Sequence, residues 1–186
     1  MLRKLKSEFD FTVTPRAFQI HPEWPAEGMP AERFRPGMDP KTRQAIWERI
    51  SAMGTAAGVV MKAPKTLANS MLALQASEFA IDAGVGEAFE ERIFRAYFAE
   101  GRNIGDRETL LELAAETGVN SAALSEALGS DEYAVRIRNH AIAASERGVG
   151  GVPTFFIGDW PLVGAQSEDV MRRVLARASE RMAGSK

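Results

Sequence analysis

Apolar residues recur along most of this chain at helical spacing, and only at its two ends at the alternating spacing of a strand. Leu2, Leu5 and Phe9 sit three and four apart, as in the closing turns of a helix. Phe11, Val13 and Ala17 then share one side of a predicted strand over 11–18. Pro15 lies inside that run and argues for an edge or bulged strand, because proline has no N–H to give a ladder. Residues 21–40 contain Pro22, Pro25, Pro30, Pro36 and Pro40. Each disfavours helix at the residue before it, so an irregular segment is predicted, held down by Trp24, Met29 and Phe34.

From Pro40 the period is helical. Ile46, Trp47, Ile50 and Met53 mark one face of a helix over 41–57. Leu72, Ala76, Phe79 and Ala83 mark another over 66–83, closed by Gly84. Phe89, Ile93, Phe94, Tyr97 and Phe98 form a broad aromatic face over 86–100, expected to be core and closed by Gly101. Asp106 is a predicted N-cap for 107–117, and Asn120 or Ser121 for the short helix ending at Leu128. A helix from Ser130 to Arg147 carries Tyr133, Ile137, His140, Ala141 and Ala144 in a stripe. The period then changes. Strands are predicted at 152–157 and 162–163, with turn chemistry at Gly158-Asp159 and Pro161. Ser167-Glu168-Asp169 opens a last helix, with a hydroxyl cap and two acids where the helix dipole favours negative charge. Its buried face is predicted at Val170, Met171, Val174, Leu175 and Ala178.

Composition narrows the function classes. The 186 residues include 23 Lys and Arg against 25 Asp and Glu, 45% apolar residues and no cysteine. That length can bury a core without disulfide staples. The near-neutral balance offers no basic field for nucleic acid, and no apolar run reaches the roughly 20 residues that span a bilayer. No nucleic-acid or membrane partner is expected. The charged start, Met1-Leu2-Arg3-Lys4, lacks the apolar core of a signal peptide, so the cytoplasm is the expected compartment. Without cysteine there is no disulfide, thiolate metal site or cysteine nucleophile.

Gly148-Val149-Gly150-Gly151-Val152-Pro153-Thr154-Phe155 is the most informative stretch, a glycine-rich exit from a helix into a strand entered through Val-Pro. The stretch at 151–155, the hairpin, Gly164-Ala165-Gln166 and the terminal helix resemble the C-terminal half of the DsbA-like thioredoxin fold. Within that fold the sequence resembles the FrnE-like group of thiol–disulfide oxidoreductases. Arg16–Glu23, Asn69–Ala80 and Phe94–Asp106 are similar to further stretches of that group, so the resemblance runs from about residue 2 to 178. It implies an α/β protein with a thioredoxin-like core at 1–39 and 129–186 and an all-helical inserted subdomain at 40–128. It also implies a cis Val152–Pro153 bond and a surface at Gly151, Val152, Pro153 and Thr154 that binds a thiol- or disulfide-containing peptide or a small thiol.

One part of the pattern is missing. Members begin with a strand followed by a Cys-x-x-Cys motif at the first helix, and here Met1 falls inside that helix. In the thioredoxin arrangement the absent first strand separates the strand at 11–18 from that at 154–157. Strands neighbour at about 4.8 Å, so its loss opens a gap of about twice that. The favoured expectation is that Met1 is an internal methionine; the other is a truncated relative that repacks or borrows a strand, with a homodimer as one outcome. No catalytic residue, cofactor or metal is assigned. The expected function is that of a DsbA/FrnE-like family protein inactive in thiol exchange as written. The alternatives are a glutathione-dependent isomerase or transferase of the 2-hydroxychromene-2-carboxylate isomerase or kappa type, and a non-catalytic peptide-binding or dimerisation module.

Other polar groups read as structural. His21 precedes proline in a loop, and His140 lies on an apolar helical face, without ligand spacing between them. Arg92, Arg95, Arg102 and Arg107 alternate with Glu90, Glu91, Glu100 and Asp106, which predicts a solvated ion-paired face.

Overall fold

The computed structural model describes residues 1–34, 36–56 and 58–184. Arg35, Ala57, Ser185 and Lys186, which fall in the segments expected at 21–40, 41–57 and 129–186, lie outside the described residues. The elements in order are α1 (Leu2–Leu5), β1 (Met29–Pro30), α2 (Pro40–Ala56), β2 (Thr66–Leu67), α3 (Met71–Asp82), α4 (Gly86–Arg95), α5 (Arg107–Thr117), α6 (Ser121–Leu128), α7 (Glu132–Glu146), β3 (Thr154–Ile157), β4 (Trp160–Val163) and α8 (Glu168–Gly184). A 3-10 turn covers Ala31–Arg33, and a π-helical turn covers Ala96–Glu100. The chain forms two compact units, one of Met1–Ile20 with His140–Lys186 and one of His21–Asn139.

The His21–Asn139 unit is built on α3 to α6. Ala73, Ala76 and Ala80 give α3 a low face, which lets neighbouring helices approach closely, and Phe89, Ile93, Leu110, Leu113 and Leu124 fill the space between them. The helix starts are set by local chemistry. The Asp106 carboxylate accepts from the Thr109 N–H at 2.8 Å, and the Asn120 side chain from the Ala123 N–H at 3.0 Å. Gly101 ends the π-helical turn at φ 73°, a left-handed conformation that glycine adopts without a Cβ clash. The arginines pair as the alternation of charge predicts. Arg92 meets Glu100 at 2.9 Å and Glu116 at 2.5 Å, and Arg102 meets Glu112.

Glu90 stands apart from these pairs. Burial holds its carboxyl above the ordinary range, with repulsion from Glu78 and Glu87 adding to it. A folded-state pKa above the unfolded one gives stability that is fully present below the unfolded value of about 4.3 and is lost as pH rises through the folded value. Glu90→Gln is therefore expected to raise the melting temperature at neutral pH, with the gain closing toward that unfolded pKa. Paired thermal melts across that range check it, and a gain that does not change with pH would count against it.

The unit of Met1–Ile20 and His140–Lys186 has a smaller core. Leu5, Met171 and Leu175 are buried, and Leu2, Phe9, Phe11, Phe155, Ile157 and Leu162 pack against them. The Ser167 hydroxyl accepts from the Val170 N–H at 3.3 Å at the start of α8. β3 and β4 pair antiparallel, with Thr154 opposite Val163 and Ile157 opposite Trp160.

Several expectations are corrected. No ladder forms over 11–18: among the described residues the sheets are only β1–β2 and β3–β4. A strand needs a neighbour as well as propensity, and this segment has none. The helix expected from Thr66 begins at Met71, because Thr66 and Leu67 pair with Pro30 and Met29 instead. That same ladder puts a short strand inside the proline-rich segment expected to be irregular. Pro161 stands within β4 opposite Phe156 rather than in the turn. The α2 face at Ile46, Ile50 and Met53 is exposed, and Phe94 points to solvent instead of into the core. The distribution of apolar positions marks a face, but it does not say what covers it.

Candidate functional site

The glycine-rich exit from α7 is closed by its own backbone. The Gly148 N–H donates to the Ser145 carbonyl and the Val149 N–H to that of Ala144, both at 2.9 Å, with Gly148 at φ 74°. Beyond it the chain is uncrowded. A Cβ placed on Gly150 or Gly151 would meet no heavy atom within 4 Å. The Val152–Pro153 peptide is cis. Val152 is 47% exposed, Pro153 is exposed, and Gly151 and Thr154 are half-buried. The four positions expected to bind substrate are thus adjacent and largely open to solvent.

Two hydrogen bonds hold this short stretch. The Thr154 hydroxyl donates to the Gly151 carbonyl at 2.7 Å, which bends the chain back on itself. The Gly164 N–H donates to the Pro153 carbonyl at 2.8 Å, so the β3–β4 pairing continues past Thr154 to the proline. Gly164, at φ 83°, makes the turn out of β4 that brings its N–H there. β3 alternates, with Phe155 and Ile157 against the core and Phe156 on the other side under the Arg147 guanidinium, 3.5 Å from the ring centre. Along its other edge, among the described residues, β3 has no strand partner. That leaves a short row of backbone donors and acceptors starting beside Val152–Pro153, of the kind that pairs with an extended peptide.

The reactive groups nearby are few. Among the described residues, no three His, Asp or Glu side chains converge as metal ligands. His140 lies half-buried, with Nε2 3.3 Å from Arg16 Nη1. A guanidinium can only donate, so Nε2 is the acceptor in that contact. His21 is elsewhere: it stacks on Trp24 with ring centres 4.2 Å apart, and its Nδ1 lies 2.9 Å from Glu23 Oε1. The hydroxyl of Thr154 is the one nucleophile-type group within the four-residue stretch, and it is occupied as a donor. The arrangement can hold an extended backbone and an apolar or sulfur-bearing side chain; it holds no thiolate. Arg147 over Phe156 was not legible in the sequence, because cation–π contacts join residues whose spacing follows no period. No described helix is long and apolar enough to cross a membrane.

Comparison with known proteins adds four findings. The profile of the DSBA-like thioredoxin domain matches residues 1–176. The uncharacterised protein YwbO of Bacillus subtilis (strain 168) is 30% identical over 172 residues, covering 90% of this chain and 82% of YwbO. Among solved structures, a probable DsbA oxidoreductase, SCO1869 of Streptomyces coelicolor, superposes with a TM-score of 0.81 at 24% identity, over 89% of this chain and 74% of that one. A 2-hydroxychromene-2-carboxylate isomerase superposes with a TM-score of 0.68 at 18% identity, over 100% of this chain and 90% of that one.

Proposed function

This chain belongs to the DSBA-like thioredoxin domain family, and from that membership we propose that it binds a thiol- or disulfide-containing peptide, or a small thiol, at Gly151–Thr154 without itself carrying out thiol–disulfide exchange. The observation that carries the reading is the exposed Val152–Pro153 stretch leading into β3, whose other edge has no strand partner among the described residues, in a sequence with no cysteine. An extended peptide laid along β3 gains backbone hydrogen bonds, and Val152 offers apolar contact for a side chain near sulfur. Exchange needs a thiolate to attack a disulfide, and this polypeptide supplies none. Placement in the FrnE-like branch, a cytoplasmic location, and a helical insert bounded at 40–128 within a core of 1–39 and 129–186 belong to the same proposal.

Two measurements test it. In insulin reduction driven by dithiothreitol, the chain is expected to give no acceleration over buffer; turnover would overturn the claim that it lacks exchange chemistry. In calorimetric titration with glutathione and with an S-alkylated cysteine peptide, binding is expected, and Val152→Glu is expected to weaken it by about tenfold or more. Binding unchanged by that substitution would place the ligand elsewhere. Glutathione-dependent conversion of 2-hydroxychromene-2-carboxylate would instead favour the isomerase reading. Neither activity together with self-association would favour a dimerisation module.

A further inference from the structure

α2 is the longest helix of the His21–Asn139 unit and has no buried residue. Its Ile46 and Ile50 are each 41% exposed and Met53 59%, at positions i, i+4 and i+7, so they form a single ridge. The ridge continues beyond the helix. The Val59 N–H donates to the Gly54 carbonyl at 2.8 Å, and a Cβ on Gly54 would lie 2.5 Å from the Met61 sulfur, so the chain folds back against the helix end. The Lys62 N–H then donates to the Phe98 carbonyl at 2.6 Å, which ties this return to the π-helical turn. Val59 and Val60, 48% and 70% exposed, are thereby held next to α2 rather than trailing free. Large apolar residues grouped this way on a surface mark an interaction site more often than a solvated face.

A second observation concerns charge. Between residues 39 and 65 the chain carries Lys41, Arg43, Arg49, Lys62 and Lys65 against Asp39 and Glu48, in a protein of net charge −2. Both acids are already engaged: Asp39 caps α2, accepting from the Lys41 and Thr42 N–H groups at 2.9 and 3.1 Å, and Glu48 accepts from the Gln44 side-chain amide at 2.8 Å. Among the described residues, none of the five cations forms an ion pair. On α2 itself Arg43 and Arg49 lie three residues before and after Ile46 and so flank the ridge, and an apolar ridge flanked by unneutralised cations is complementary to an apolar stripe flanked by carboxylates. It disfavours a second copy of the same face, which would set like charges against each other. A helix ridge takes another helix by packing ridge into groove.

We propose that the α2 face of Ile46, Ile50 and Met53, extended by Val59 and Val60, is a docking surface for an acidic amphipathic helix of a partner protein. The probe is a synthetic fluorescent helix with leucine on one face and glutamate on the other, with a lysine-for-glutamate version as control. By fluorescence anisotropy the acidic peptide binds the full chain, and the basic one binds at least about tenfold more weakly. Replacing Ile50 and Met53 together by Ser abolishes binding. Reversing Arg43 and Arg49 to Glu transfers the preference to the basic peptide, a rescue that a merely structural role cannot produce. Ile50, Met53 and Arg49 are exposed and Arg43 is half-buried, and far-UV circular dichroism verifies that the variants stay folded. The proposal is overturned by no binding, by equal binding of both peptides, or by binding that survives the Ser substitutions. It is overturned equally by sedimentation with phosphatidylglycerol vesicles that the acidic peptide does not compete away, or by a dimer that Ile50→Ser dissolves while the peptide stays unbound.

Discussion

Phe89→Ala is expected to destabilise the protein by about 3–5 kcal/mol, the range for removing a buried aromatic ring. Phe89 is fully buried on α4 and belongs to a core in which α3 contributes mainly alanines. Those alanines have no longer side chain to swing into the space the ring vacates, so the cavity stays open and the cost lies toward the upper end of that range. Urea unfolding followed by circular dichroism measures it, read as a fall in midpoint at constant slope. Phe94 is the internal control. It lies on the same helix and is 62% exposed, so Phe94→Ala is expected to stay within about 0.5 kcal/mol of the parent. Equal effects at the two positions would contradict the assignment of inward and outward faces to α4.

Leu5→Ala has the second-largest expected effect, about 2–5 kcal/mol. α1 is only four residues long, too short to persist by its own hydrogen bonds, so what keeps it helical is packing. Leu5 supplies that packing, being fully buried against Met171 and Leu175 of α8. Ion pairs also join α1 and the residues just after it to α8: Lys4 reaches Glu168 at 2.6 Å and Arg172 reaches Glu8 at 2.7 Å. They lie at the surface, where solvent and salt screen them, so burial decides the outcome. Arg172 holds the Glu8 carboxyl below its usual range, as Lys4 and then Arg172 do for Glu168. A depressed folded pKa gives stability that is present above the unfolded value and lost as pH falls through the folded one. Leu5→Ala should therefore lower stability at every pH, whereas Arg172→Met should lower it near neutrality and little in acid. Hydrogen exchange provides the check: Leu5→Ala is expected to deprotect amides of α8 and of the β3–β4 hairpin. Unchanged protection there would show that α1 contributes nothing to this core.

The parts of the structure that were legible in the sequence are those decided by near neighbours. Asp106 and Asn120 cap α5 and α6 because the donor each needs lies three residues on, and Gly101 stops a helix because of its own backbone freedom. The segments that departed from expectation depend on distant ones. Thr66 and Leu67 leave the α3 helix for a ladder with Met29 and Pro30, a pairing that no local window contains. The run at 11–18 has strand-like alternation but no strand to pair with, so the propensity goes unused. At the candidate site, Gly151 to Thr154 were singled out by resemblance to a family, and the physical reading of the residues added only that a proline enters a strand there. What the sequence could not convey is that this stretch is open, that β3 is unpaired on one edge, and that Arg147 covers Phe156.

The π-helical turn at Ala96–Glu100 acts as a change of phase. Each α-helical residue advances the chain by about 100°, and a turn closed from i to i+5 takes in one residue more than an α-turn does. The Gly101 N–H accordingly donates to the Ala96 carbonyl, five residues back. Everything after it leaves the helix rotated by about one residue's share of a turn relative to a straight continuation of α4. Within that turn the Phe98 carbonyl accepts from the Lys62 N–H, and just beyond it Arg102 pairs with Glu112. In this sense the segment is a one-residue insertion at the end of the helix, and deleting Ala99 is expected to restore the α phase while disturbing two contacts, one made from inside the turn and one from just beyond it.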